Sequence, residues 1–355
     1  MSKLRFALVG CGRIAKKHIE SLNDLPDAEL VSVCDIKEER AKSYGEKLGI
    51  AYYKNYDDML KNEDIDVVNI LTPSGLHAKH TIDIVKKYKK HIVCEKPMAL
   101  KLEDADEMIR VCDENGVRLF VVKQNRYNLP VQKLRQALEK GRFGKLVMGT
   151  VRVRWTRHQH YYDMDDWRGT WAMDGGVLTN QASHHIDLLE WMMGQPVEVS
   201  AQTATRLVDI EVEDTGAVVI KFANGALGII EATTATRPKD LEGSLSILGA
   251  KGTVEIGGFA VNEMKIWGFE DEQEEDQEVM KEFKENPPNV YGFGHKRYLD
   301  HVVDCIKNNK KALVDGLEGR KSLELINAIY EAAETGKTIK LRFEPKECKL
   351  GMERD

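Results

Sequence analysis

A lysine closes the short apolar run His91-Ile92-Val93-Cys94-Glu95-Lys96-Pro97. At the carboxyl end of a buried strand such a residue projects toward the crevice where open α/β sheets bind their ligands. There an amine can take or share the proton of a hydroxyl; in isolation the same lysine also reads as a solvated charge. The residues Gly10-Cys11-Gly12-Arg13-Ile14-Ala15 supply the chemical context, following directly on the apolar run Arg5–Val9. They fit G-x-G-x-x-A. Gly10 permits the tight turn, Gly12 lets the main chain approach a pyrophosphate, and Ala15 lets the next helix pack on the strand. The N–H groups around Arg13 and Ile14 face an anion. Asp35 ends the second apolar run, where a carboxylate bonds the ribose hydroxyls and repels a 2′-phosphate. The cofactor expected is NAD rather than NADP, with Lys37 the one neighbour that softens the preference. Thr72, Ser74 and His77 fall at the same rim of the sheet, His77 being open to a plainer role as a helix cap.

A second constellation lies in Asp174-Gly175-Gly176-Val177-Leu178-Thr179-Asn180-Gln181-Ala182-Ser183-His184-His185-Ile186-Asp187. On a helix Asn180 and His184 share a face, Asp187 follows three residues on, and His185 is turned away by about 100°. A histidine held by polar neighbours suits proton transfer near neutral pH; a hydrogen-bonded packing role is the alternative. No H-E-x-x-H or comparable third ligand is spaced for a metal, and none is expected. Arg152 and Arg154 alternate onto one face of a strand, and Arg157, His158, His160, Trp167 and Arg168 follow closely. This cluster either meets a phosphate or carboxylate or forms the solvent face of a sheet.

The elements that must position these groups divide in two. Over roughly the first 120 residues short apolar runs (Arg5–Val9, Leu30–Cys34, Val67–Leu71, His91–Cys94, Leu119–Val122) alternate with helical spacing, the pattern of a doubly wound parallel sheet. After Asn125 come alternating strands joined by turns, at Val147–Trp155, Val197–Thr205, Gly216–Phe222, Ala226–Thr234, Gly243–Leu248, Thr253–Ile256 and Met264–Phe269. These predict a large open, mostly antiparallel sheet. One helix is expected from Gly176 to Met193 and two more near Tyr298–Lys307 and Leu317–Thr335. The fold class expected is α/β for residues 1–123, with an α+β domain over 124–345 whose last helices can pack back on the first. The acidic run 270–284 reads as a solvated loop.

With 355 residues the chain is long enough for two cores, and its net charge of −6 excludes a broad basic surface for nucleic acid. Six cysteines lie without any C-x-x-C, so no disulfide framework or zinc ribbon is expected. No signal segment or membrane-length apolar stretch is seen, and the expected location is the cytoplasm.

Taken together, Gly10-x-Gly12-x-x-Ala15, Glu95-Lys96-Pro97 and Gly175-Gly176…His184-x-x-Asp187 resemble the glucose-fructose oxidoreductase/inositol dehydrogenase family over nearly the whole chain. Val121–Arg126, the stretch from Trp155 through Trp167-Arg168 to His184, Ile210–Gly216 and Asn289–His295 narrow the likeness. They are similar to the UDP-N-acetylglucosaminuronate 3-dehydrogenases of bacterial surface-polysaccharide (lipopolysaccharide) biosynthesis. The resemblance implies a Rossmann domain plus an open-sheet domain that assembles homodimers or homotetramers. It also implies hydride transfer from C3 of the sugar to NAD, and a 3-keto product used by a PLP-dependent aminotransferase. In some members 2-oxoglutarate reoxidises the bound NADH. The family's Lys-Pro bond is often cis. Glu95, Lys96, Gln124, Trp167 and Arg168 are then expected beside the cofactor. Lys96, Arg126, Arg154, Arg157, Asn180, His184, Tyr291 and His295 are expected around the substrate, the arginine forks suiting pyrophosphate and carboxylate. Asn180 departs from the aspartate common in inositol dehydrogenases. Without an ion pair His184 is the poorer base and Lys96 the better one, and the two are expected to share the hydroxyl proton. Two rival readings remain: a dehydrogenase of free inositols or sugars, and a non-catalytic NAD-binding regulator.

Overall fold

Apart from the third, the first six strands are short, apolar and largely buried on both faces, which is why they read as continuous hydrophobic runs rather than alternations. They are β1 (Leu4–Val9), β2 (Ala28–Cys34), β3 (Ala51–Tyr53), β4 (Val67–Ile70), β5 (His91–Cys94) and β6 (Leu119–Val121), all parallel, in the order β3-β2-β1-β4-β5-β6. The computed structural model describes residues 2–283, 292 and 294–341. Helices cover both faces, among them Ala15–Asn23, Glu38–Leu48, His77–Tyr88 and Leu102–Glu114. The strand order turns back between β1 and β4, so the glycine turn after β1 and the Thr72 rim after β4 open on one crevice. Strand β3 and the helix Tyr56–Asn62 are additions to the expected set. Three residues carry too little periodicity to betray a strand.

The second sheet holds β7 (Leu146–Arg154), β8 (Pro196–Ala204), β9 (Thr215–Phe222), β10 (Leu227–Thr233), β11 (Glu242–Gly249), β12 (Gly252–Gly257), β13 (Glu263–Phe269) and β14 (Ile339–Lys340). Their order is β13-β12-β11-β7-β10-β9-β8-β14, antiparallel except where β7 runs beside β10. The sheet is covered on one face only, so its strands alternate. In β9 Gly216, Val218, Ile220 and Phe222 point inward while Ala217, Val219 and Lys221 point out. The inner face packs on the helix Ser183–Met193 through Ile186, Leu188, Leu189, Met192 and Met193. The outer face carries Val219, Leu227 and Ile229 beside the charged ladder of Arg152, Arg154, Glu231 and Glu242.

The last helices join the two sheets. Tyr298, Leu299 and Val302 of Gly294–Lys307 enter the core beneath β1, and Gly316–Thr335 gives Leu323 to the parallel sheet's core and Leu325, Ile326 and Ile329 to the open sheet's. The acidic run is more than a solvated loop. It contains the helix Asp276–Glu282, whose Val279 is buried and whose Asp276 takes a two-pronged bond at 2.7 Å from the buried Arg142. Among the described residues no helix is long and apolar enough to cross a membrane.

Candidate active site

One continuous cavity of about 1970 Å³ runs from the β1 turn, past Lys96 and His184, to the segment 155–168 of the open-sheet half. Its cofactor end is built by sterics. Gly10 has φ +104°, and a Cβ there would lie 2.7 Å from the Leu71 carbonyl, so the turn admits only glycine. A Cβ on Gly12 would meet nothing within 4 Å; the backbone there faces open space, as close approach of a pyrophosphate requires. Asp35 sits at the tip of β2 with Oδ2 accepting from the Cys11 amide at 2.7 Å and Oδ1 from the Lys37 amide at 2.8 Å. The carboxylate is thereby fixed at the rim, beside the turn it braces. Arg13, Ile14, Thr72, Ser74 and His77 line the same space. His77 is fully engaged by main-chain carbonyls, with Nδ1 2.7 Å from the Pro97 oxygen and Nε2 2.8 Å from the Thr72 oxygen. It ties the β4 rim to the Lys96–Pro97 turn, whose peptide bond is cis. The dinucleotide fits these residues: a cradle only glycine can form, and an acid where the ribose belongs.

At the centre, Lys96 extends its Nζ to the main-chain oxygen of Asn180 at 2.7 Å. Burial pulls its pKa below the ordinary lysine value, with Glu95 and Asp174 opposing and Lys123 and Arg168 adding to the fall. Glu95 is buried, bonded through Oε1 to His18 Nε2 at 2.9 Å and through Oε2 to the Lys96 amide at 3.0 Å. Burial raises its pKa, but the His18 bond and charge, with His295 and Lys96, outweigh this and hold it at about 2. His295 lies edge-on to His18 and 3.9 Å from Glu95. Asn69 Nδ2 lies 2.9 Å from His18 Nδ1. Among the described residues His18, Glu95 and His295 form the one group spaced for a metal ion, and this hydrogen bonding already occupies the His18 nitrogens.

His184 is buried, its Nε2 accepting from the Gln124 amide at 2.9 Å, which puts the ring proton on Nδ1. Burial, then the charges of Lys96 and Lys123, lower its pKa far below the ordinary histidine value. It is a neutral imidazole. The expected helical face shared with Asn180 is absent: the helix begins at Ser183, and 177–182 are turns. The reason lies behind them. The Val177 amide donates to the Glu213 main-chain oxygen at 3.0 Å and the Leu178 amide to Glu213 Oε1 at 2.9 Å, so the segment is pinned to the loop before β9. Tyr330 completes the anchor, its hydroxyl bonding Thr179, Glu213 and the Gly176 amide. Asn180 turns its side-chain amide to Asp174 Oδ1, while Asp174 Oδ2 takes the Gly169 amide at 2.9 Å. Asp187 faces away from the cavity and into protein.

The basic residues separate into two groups. Arg157, Trp167 and Arg168 line the cavity. Tyr161 stands among three guanidinium groups, with Arg13, Arg157 and Arg168 at 5.7, 5.3 and 4.7 Å from its ring centre. Arg126 does not belong here. It is buried, forked onto Asp187 at 2.8 and 2.9 Å, and reaches Glu318 at 3.2 Å. Its segment enters the protein beneath the cleft, where Asp187 claims the fork. Arg154 also lies elsewhere, on the outward face of the open sheet, paired with Glu231 at 2.6 Å and Glu242 at 2.9 Å. The solvent-face reading of Arg152 and Arg154 is the correct one. Lys96, Gln124, Asn180, His184 and His295 do meet in the cavity, and Tyr291 falls outside the described residues.

Several participants escaped sequence reading. Glu213 and Asp174 lie within stretches that stood out, yet nothing in spacing told that their carboxylates hold the turn. Tyr330, His18 and Asp165 gave no signal, since each meets the site through tertiary contact alone.

Two family descriptions match the chain: "Oxidoreductase family, NAD-binding Rossmann fold" over residues 4–123 and "Oxidoreductase family, C-terminal alpha/beta domain" over 135–341. Among solved structures, the WlbA dehydrogenase of Bordetella pertussis, crystallised with NADH and UDP-GlcNAcA, is 43% identical with a TM-score of 0.90, covering 97% of this chain and 99% of that one. The WlbA dehydrogenase of Chromobacterium violaceum, with the same two ligands, is 44% identical with a TM-score of 0.91, covering 97% and 98%. A curated relative, the myo-inositol 2-dehydrogenase of Thermotoga maritima, is 28% identical over 95% of this chain and 98% of its own length.

Proposed function

The chain belongs to the Gfo/Idh/MocA oxidoreductase family as an NAD-dependent dehydrogenase of sugar CH–OH groups, and we propose that its substrate is UDP-N-acetylglucosaminuronic acid, oxidised at C3. The observation that carries this reading is the cavity. At about 1970 Å³ it is roughly twice the upper size of an ordinary small-ligand site. A dinucleotide accounts for the Gly10–Asp35 end. A second nucleotide with its sugar suits the remainder, where Arg157, Arg168 and Tyr161 offer forks and a stacking face to a pyrophosphate and a base. The likeness to two dehydrogenases solved with UDP-GlcNAcA supports it further.

NAD, when bound, accepts the hydride from C3. The residues of this chain handle the proton: Lys96 Nζ takes it from the hydroxyl, and the Asn180 main-chain oxygen aims the lysine. The product is the 3-keto sugar, the form on which a PLP-dependent aminotransferase acts. We place the reaction in the cytoplasm, within surface-polysaccharide precursor synthesis. The apolar outer face of the open sheet (Val219, Leu227, Ile229) supports assembly as a homodimer or homotetramer.

A second reading, oxidation of a free inositol or sugar, is favoured by the myo-inositol 2-dehydrogenase relative. The two separate on incubation with NAD and UDP-N-acetylglucosaminuronate, UDP-N-acetylglucosamine or myo-inositol. Mass spectrometry should find loss of two hydrogens from the uronate alone. Added 2-oxoglutarate should then be reduced to 2-hydroxyglutarate if the NADH is recycled in place. Turnover of myo-inositol without the nucleotide sugar overturns the proposal.

A further inference from the structure

The adenosine end of the groove carries contradictory instructions. Asp35, fixed by the Cys11 and Lys37 amides, is the acid that meets a ribose 2′-hydroxyl. Lys37 and Arg40, on the turn and helix that follow, are the kind of basic pair that accepts a 2′-phosphate in NADP sites. All three line the cavity. The contradiction is resolved from far along the chain. Asp165, in the segment that follows the helix Gln159–Tyr162, places Oδ1 3.1 Å from Arg40 and 3.8 Å from Lys37, while its Oδ2 lies 3.5 Å from Arg168 Nε. Its side chain keeps only 14% of its exposure, against 37% for Arg40 and 52% for Lys37. The carboxylate is therefore the well-held member, and the two cations come to it.

We propose that Asp165 sets cofactor specificity from the opposite wall of the groove by occupying the Lys37–Arg40 pair, so that a 2′-phosphate finds its cations taken and a second carboxylate beside Asp35. Discrimination against NADP is then shared by the two halves of the molecule rather than contained in the β2 tip. It depends on the groove being closed, because Asp165 reaches Arg40 only across the cavity mouth.

The test needs no sugar substrate, so it is independent of the substrate assignment. NADH and NADPH are titrated into the full chain, with energy transfer from tryptophan to the reduced nicotinamide as the readout. In Asp165→Asn, and equally in Asp165→Ser, the Kd for NADPH should fall about tenfold, the worth of a charge-assisted contact regained. The Kd for NADH should stay within about threefold, which also reports an intact fold. Adding Arg40→Ala should erase the gain. The proposal is overturned by an unchanged NADPH affinity in both variants, by equal weakening of both nucleotides, or by a gain that survives Arg40→Ala.

Discussion

Glu213 stores a pH dependence that unfolding measurements can read. Its side chain is 4% exposed, Oε1 accepts from the Leu178 amide and the Tyr330 hydroxyl at 2.9 Å each, and Oε2 has no partner. Burial pushes its pKa from the ordinary 4.5 up to about 7, helped by the nearby Asp174 and opposed by the amide and hydroxyl donors. The folded state therefore holds a proton that the unfolded chain gives up at lower pH. Below pH 4.5 both states are protonated and the stabilisation is complete; it falls as pH rises and is gone above about pH 7. A rise from 4.5 to about 7 is worth about 3 kcal/mol, most of it lost between pH 5 and pH 8. Glu213→Gln keeps an oxygen for both donors and removes the ionisation. Denaturant unfolding of both proteins at pH 5 and pH 8 should show the variant gaining about 2–3 kcal/mol on the wild type across that interval. Parallel pH dependences would refute the reasoning, because the carboxyl would then titrate as it does in the unfolded chain.

Lys96→Met should lower kcat by about 10³-fold or more with NADH affinity retained, as followed by NADH absorbance and binding titration. In the wild type the rising limb of kcat/KM should lie below the ordinary lysine value of 10.5, since burial favours the neutral amine, and this limb should vanish from the variant's residual activity. Arg126→Met should cost about 3–5 kcal/mol in thermal or denaturant unfolding, because it leaves Asp187 buried without its fork. A raised sugar KM at unchanged stability would instead return Arg126 to the binding site. Arg157→Ala should raise the KM for the nucleotide sugar at least about tenfold, whereas Arg154→Ala should leave it within about twofold. Steady-state kinetics on both variants separates the cavity wall from the outer sheet face.

What the sequence made legible was whatever repeats locally. The βα alternation up to Val121 and the in–out alternation of β7 and β9 follow from burial on two faces or one, and burial leaves a period in the chain. Gly10 and Asp35 were legible because a tight turn and a ribose acid constrain residue type at fixed spacing. The arginines were not. Arg126 and Arg157 look alike in sequence, yet one meets Asp187 in the interior and the other lines the groove, and only tertiary packing distinguishes them. The helical placement of Asn180 failed for a related reason. Residues 177–182 have helix-compatible spacing, but the Val177 and Leu178 amides bond Glu213, more than 30 residues on.

That correction changes the grounds on which Lys96 is proposed as the stronger base. The sequence argument rested on Asn180 lacking a charge with which to hold His184. In the structure the side chain of Asn180 bonds Asp174 and its carbonyl bonds Lys96. His184 is weakened instead by burial beside Lys96 and Lys123, and Gln124 occupies its Nε2 lone pair, leaving an N–H at Nδ1 without a protein partner. Nδ1 is also buried away from the cavity, so neither ring nitrogen is open to take a hydroxyl proton while Gln124 stays in place. A neutral Lys96 amine can give one hydrogen to the Asn180 carbonyl and still offer its lone pair to the hydroxyl. The geometry thus divides the proposed roles, with Lys96 removing the proton and His184 held back by Gln124. Gln124→Leu tests the division. Freed of its amide partner, His184 has an Nε2 lone pair open to accept a proton. That variant should tolerate a second change, Lys96→Met, better than the wild type does, by at least about tenfold in kcat.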